Sequence, residues 1–121
     1  IISFGRPLHF CLEAAEELAK EGISCEVIDG RTIRPLDIET MITSVKKTNA
    51  CVVVDQSWPF ASVGSEIASQ IHRYCFDDLD NHVHRVHSDD VPTPYAYNLE
   101  QAYLPNSHKI CEAVRSATYN I

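Results

Sequence analysis

Cys51-Val52-Val53-Val54 is an unbroken apolar run with polar Asn49 before it and Asp55 after it. A short continuous run rich in β-branched residues reads as a strand covered on both faces, the setting of a central strand in a parallel sheet. The flanking sequence repeats the theme on both sides. Downstream, Ser62 opens a helix with Val63, Ile67, Ala68 and Ile71 on one side. Upstream, Asp37 is an N-cap for a helix running to about Lys47, with Ile38, Met41, Ile42 and Val45 as its buried stripe. Arg31–Leu36 is the loop before it, and Ile23–Asp29 reads as a strand ended by Gly30. Further back, Leu8, Cys11, Leu12, Ala15, Leu18 and Ala19 recur at helical spacing between Pro7 and Glu21. Pro7 suits a first helical turn, and Gly22 the left-handed position after a last one. Ile1–Phe4 is a short strand closed by Gly5, Arg6 and Pro7. Past the third helix, His82–His87 is a weaker strand, Asp90–Tyr95 carries two prolines and is irregular, and a last helix spans about Ser107–Thr118. The order βαβαβαβ with a closing helix predicts a three-layer α/β/α domain, its mostly parallel sheet of 4–5 strands having helices on both faces.

The 121 residues suffice for one domain, 1–121, with one sizeable core. Ten Lys and Arg against 17 Asp and Glu give a net charge of −7. Phosphate backbones and anionic lipid would repel such a chain, so nucleic acid and membrane are excluded as partners. The five cysteines, Cys11, Cys25, Cys51, Cys75 and Cys111, lie inside apolar periodic segments and form no C-x-x-C pair. They read as small core hydrophobes in a reducing compartment rather than as a disulfide framework. There is no basic leader, and the chain opens directly on strand residues Ile1 and Ile2, which leads us to expect a piece of a longer protein.

In a parallel α/β sheet, ligands gather beyond the carboxyl ends of the strands. The loops there begin at Gly5, Gly30, Asp55 and Ser88. With glycine only at 5, 22, 30 and 64, neither a dinucleotide fingerprint nor a P-loop is present. His82, His84 and His87 form an H-x-H-x-x-H cluster in which 82 and 84 share a strand face. They are a candidate metal site, completed by Asp89 or Asp90, against the plainer reading of exposed strand histidines. His9, His72 and His108 read as solvated helix residues. Arg6, Arg31, Arg34, Trp58 and Tyr95 fall in loops on one side of the sheet. Their residue types are those enriched at protein interfaces, with ordinary loop packing as the alternative. Asp77, Asp78, Asp80, Asp89 and Asp90 read as a solvated acidic face, or as a complement to a basic partner.

Four long stretches carry a resemblance: Cys25-Glu-Val-Ile-Asp-Gly-Arg-Thr-Ile-Arg-Pro-Leu-Asp37, Ser44-Val-Lys-Lys-Thr-Asn49, Trp58-Pro-Phe-Ala-Ser-Val-Gly-Ser-Glu-Ile-Ala68 and Asp90-Val-Pro-Thr-Pro-Tyr-Ala96. With Leu99-Glu100, Leu104-Pro105 and Asn120-Ile121, they make essentially the whole chain similar to the C-terminal, transketolase-like domain of pyruvate dehydrogenase β subunits. The sequence departs from that pattern at Gly30, at Asp55-Gln-Ser57, and at His82 and His84, which stand in a usually apolar stretch. The resemblance implies a full heterotetramer that decarboxylates pyruvate on thiamine diphosphate, with magnesium, and reductively acetylates lipoyl groups. It implies that cofactor and catalytic residues lie outside this domain, which itself binds no cofactor. The expected partners are a second β subunit, the α subunit and the basic subunit-binding domain of the dihydrolipoyl acetyltransferase. The carboxylate of Ile121 and nearby acids are the docking candidates, and Arg31, Arg34, Trp58 and Tyr95 the assembly candidates. The expected location is bacterial cytoplasm or mitochondrial matrix. The alternatives are the equivalent domain of a branched-chain 2-oxo acid dehydrogenase or other transketolase-like enzyme, and a free-standing metal-binding protein.

Overall fold

A computed structural model describes residues 1–120. Four parallel strands, β1 (Ile2–Ser3), β2 (Ile28–Asp29), β3 (Val52–Val54) and β4 (His84–Val86), lie in the order β2-β1-β3-β4. Five helices accompany them: α1 (Pro7–Lys20), α2 (Ile38–Thr48), α3 (Val63–Cys75), α4 (Tyr97–Tyr103) and α5 (Ser107–Ala117).

The apolar run at 51–54 is central, and its two faces serve two cores. Cys51 and Val53 face α2 and α3, where Met41, Val45, Ile67, Ile71 and Cys75 close around them. Val52 and Val54 face α1 and α5, against Cys11, Leu18, Ile110 and Val114. This is the period-two alternation of a strand, made invisible in the sequence because both faces are apolar. Helices thus cover both faces, and the three-layer reading holds with four strands.

The ends of the helices obey the local chemistry. Asp37 accepts the Thr40 amide at the start of α2 and Ser62 accepts the Ser65 amide at the start of α3. Pro7 opens α1, and Gly22 beyond its end has φ +84°.

Three local expectations change. The ladder of β2 covers only Ile28–Asp29, because β1, the one strand beside it, offers two residues to pair with. Ile23, Cys25 and Val27 still pack against the α1–α5 core, which gives them their apolar spacing without strand pairing. β4 likewise shrinks to His84–Val86, and Phe76–Asp78 forms a 3-10 turn ahead of it. The seven-residue α4 has too few apolar positions to register as a helical period, and it buries Tyr103.

Candidate functional site

Each loop singled out in the sequence leaves the carboxyl end of a strand: Arg6 follows β1, Arg31 and Arg34 follow β2, Trp58 follows β3 and Tyr95 follows β4. Parallel strands place all of them along one edge of the sheet. The strand order sets their sequence along that edge, with the β1 loop between those of β2 and β3.

The loop from Asp55 to Ser62 is the best-defined part of this edge. The buried Asp55 carboxylate accepts the Ser57 amide at 3.0 Å and the Gly64 amide at 2.9 Å, tying the loop's start to the first turn of α3. Ser88, fully buried, donates its hydroxyl to the Gln56 carbonyl and its amide to the Ser57 carbonyl. From β4, the Arg85 guanidinium donates to the Pro59 carbonyl and to Ser62 Oγ. The Trp58 indole N–H donates to the Val91 carbonyl at 2.8 Å, joining this loop to the one after β4. Ala61, at φ +52°, turns the chain back towards α3.

What this scaffold holds up is apolar and in water. Phe60 is 86% exposed, Trp58 47% and Tyr95 101%, with Val91, Tyr97 and Leu99 beside Tyr95 in sequence and also exposed. The loop is thus tied by one buried and several part-buried hydrogen bonds while presenting large aromatic side chains, residue types enriched at protein interfaces. The placement of Trp58 and Tyr95 on this edge was legible in the sequence. Asp55, Arg85 and Ser88 were not, because their importance comes from partners up to 32 positions away.

The arginines play separate parts. Arg31, at φ +58°, pairs with Asp29 at the end of β2 at 2.8 Å, whereas Arg34 borders an open depression with Ile33, Pro35, Leu36, Val63, Glu66 and Gln70. These strand ends do not fit a diphosphate. Arg31 and Arg85 are already engaged, and the depression beside Arg34 is lined by Ile33, Pro35, Leu36 and Val63 together with Glu66, whose carboxylate would oppose a diphosphate.

The acids divide into two groups. Asp77, Asp78 and Asp80 precede β4, whereas Asp89 and Asp90 follow it, so the single acidic face expected from sequence is two clusters at opposite ends of the strand. In the first cluster, Asn49 donates to the Asp78 carbonyl at 2.9 Å, and Tyr119 donates its hydroxyl to the Asp80 carbonyl at 2.9 Å. Ile121 lies outside the described residues.

His82 and His84 do share a face, with rings stacked at 4.0 Å and 21° between planes. Near-parallel rings hold their in-plane lone pairs side by side rather than converging on one point. His87 Nδ1 is engaged with the Ser88 carbonyl. Among the described residues, no three or more His, Cys, Asp or Glu side chains gather as a metal site. His9 and His108 are exposed as expected, but His72 is half-buried and accepts the Val83 amide on Nε2 at 3.2 Å. All five cysteines are free thiols, four of them buried. Burial is the main cause that pushes Cys11 and Cys51 up to about 11, which suits packing rather than chemistry.

The layered parallel sheet and its carboxyl-edge loops define a transketolase-like α/β domain. The family described as "Transketolase, C-terminal domain" matches residues 1–110, and the chain belongs to it. Among curated proteins, the chain is 47% identical over 118 residues to the mitochondrial "Pyruvate dehydrogenase E1 component subunit beta" of Dictyostelium discoideum, covering 98% of this chain and 33% of that protein. It is 46% identical to the protein of that name in Rickettsia felis, covering 98% and 36%. It is also 47% identical to the human mitochondrial one, covering 100% and 34%. The chain therefore spans about a third of the length of these relatives. A solved structure titled "Split gene transketolase, inactive beta4 tetramer" superposes with a TM-score of 0.75 over 96% of this chain and 36% of that one. At 24% identity, that likeness establishes the fold.

Proposed function

We propose that this is the assembly and docking domain of a pyruvate dehydrogenase β subunit, the full enzyme decarboxylating pyruvate and acetylating lipoyl groups. Identity of 46–47% across nearly the whole chain to proteins of that name supports the substrate class over the branched-chain and metal-binding alternatives. The observation that carries the role of the domain itself is the hydrogen-bonded loop from Asp55 to Ser62, in which Trp58 and Phe60 are exposed to solvent. Assembly with a second β subunit and with the α subunit uses that carboxyl edge, through Trp58, Tyr95, Arg31 and Arg34. Docking of the dihydrolipoyl acetyltransferase uses the other end of β4. There Asp77, Asp78 and Asp80 precede β4, and the Asp80 carbonyl accepts the Tyr119 hydroxyl; these acids and the carboxylate of Ile121 are the docking candidates in this reading.

Thiamine diphosphate and magnesium, in this reading, are held by other parts of the enzyme, since the strand-end residues here do not fit a diphosphate. The location would be bacterial cytoplasm or mitochondrial matrix, two of the relatives named above being called mitochondrial.

The two surfaces are separable by mutation. In the full-length β subunit co-expressed with α, a W58A/Y95A variant is expected to shift the sedimentation profile towards smaller species. A D77N/D78N/D80N variant is expected to leave that profile intact. An unchanged profile for W58A/Y95A refutes the assembly role of the aromatic edge.

A further inference from the structure

We propose that His72, His82 and His84 form a proton-operated latch that holds Leu79–Val83 against α3 and the edge of the sheet at neutral pH and releases it on acidification. The segment leads into β4, which lies at the edge of the sheet and is paired on one side only.

The latch rests on two contacts and one buried ring nitrogen. The Val83 amide donates to His72 Nε2 at 3.2 Å, so that nitrogen must carry a lone pair and His72 must be neutral. Protonating Nε2 would set two donors against each other and break the only side-chain tie from α3 to the Val83 amide. Beside it, the stacked rings of His82 and His84, 4.0 Å apart, tolerate at most one charge comfortably. Finally, His84 Nε2 is buried without a hydrogen-bond partner, so a proton arriving there would find no acceptor. Burial first, then His82, holds the His84 imidazole below its ordinary range.

Asp80 lines the same small depression as His72 and His82. Asp77 and Asp78 lie in the turn just before the segment, and Arg73 on α3 packs over Tyr74. On α5, Glu112 is paired with His108, and Arg115 is paired with Glu21, so both of these carboxylates already have partners. From β3, only Val52–Val54 and the Cys51 carbonyl face the strand. The remaining ties of the segment, Leu79 N–H to the Cys75 carbonyl, Asp80 N–H to the Asn49 carbonyl, Asn81 Nδ2 to the Ser116 carbonyl and the packing of Leu79 and Val83 on the core beside α3, do not titrate in this range. They act as a hinge rather than as part of the switch. Asp80 and its bond from Tyr119 would move with the released segment, whether or not these acids dock a partner.

Amide hydrogen exchange on the full-length, assembled protein at pH 7.5 and pH 5.5, corrected for the intrinsic rate, tests the latch. Peptides covering 79–86 are expected to lose protection roughly tenfold at the lower pH while those covering Val52–Val54 do not. In H72Q the glutamine oxygen takes the Val83 N–H without titrating, and the pH response should shrink severalfold. If that variant does not fold, H82Q/H84Q serves instead, with the same expectation. Equal protection at the two pH values in the wild type, or an undiminished response in the variant that folds, overturns the proposal.

Discussion

The Asp55 carboxylate accepts the Gly64 amide at 2.9 Å, and a methyl group placed on Gly64 would sit 3.1 Å from the Asp55 Cβ. Asp55, just past the end of β3, and the first turn of α3 therefore approach so closely that any side chain at 64 would press on Asp55. The aromatic loop between them inherits its shape from this contact.

Gly64→Ala is expected to cost about 1–3 kcal/mol by overpacking. Asp55→Ala leaves two amides without their acceptor and is expected to cost about 1–3 kcal/mol. Because both act on one contact, the double variant should lose markedly less than the sum, as read from urea denaturation midpoints. Strict additivity would show that the two residues do not share the strain.

Much of this edge was legible beforehand. Cys51–Val54 identified the central strand because a fully buried strand has no polar face to disguise it, and Asp37 and Ser62 announced two helices through their caps. The carboxyl-edge placement of Arg31, Arg34, Trp58 and Tyr95 followed from parallel topology alone. What stayed hidden was tertiary. Arg85 reads in sequence as one more polar strand residue, and only the fold brings it to the Pro59 carbonyl. The bond between His72 and the Val83 amide and the burial of Ser88 depend in the same way on packing between elements distant in sequence. Ile23–Val27 misled because burial against helices produces the same apolar spacing as burial in a strand.

Trp58 is the sole tryptophan, so its fluorescence reports directly on the aromatic loop. Arg85→Ala removes the donors to the Pro59 carbonyl and Ser62 Oγ. Acrylamide quenching of Trp58 should rise in that variant, with stability falling by about 1–3 kcal/mol. Unaltered quenching would mean that the loop holds its shape without Arg85.

The thiols should react in the order of their exposure. Cys11 and Cys51, held up near 11 chiefly by burial, are expected to resist a disulfide reagent at pH 8 until denaturant is added. The half-buried Cys25 should react first. Prompt labelling of Cys51 in the native protein would contradict its place beneath α2 and α3.

On the surface, the hydrogen bond from Arg115 is the chief cause holding the Glu21 carboxyl below its ordinary range. A carboxyl lowered on folding contributes stability that is fully present above its unfolded pKa of about 4.3 and is lost as pH falls through the folded value. Arg115→Ala should move the Glu21 titration, followed by carboxyl carbon NMR, up towards the ordinary range. An unmoved titration would mean that the pair is absent in solution.

Calorimetric titration of the assembled enzyme with the basic subunit-binding domain of the acetyltransferase tests the docking role most directly. Affinity is expected to fall with rising salt, and to fall at least roughly tenfold when Asp77, Asp78 and Asp80 become asparagine, with assembly unchanged. Tight, salt-independent binding that survives loss of all three acids would show that the acetyltransferase docks elsewhere.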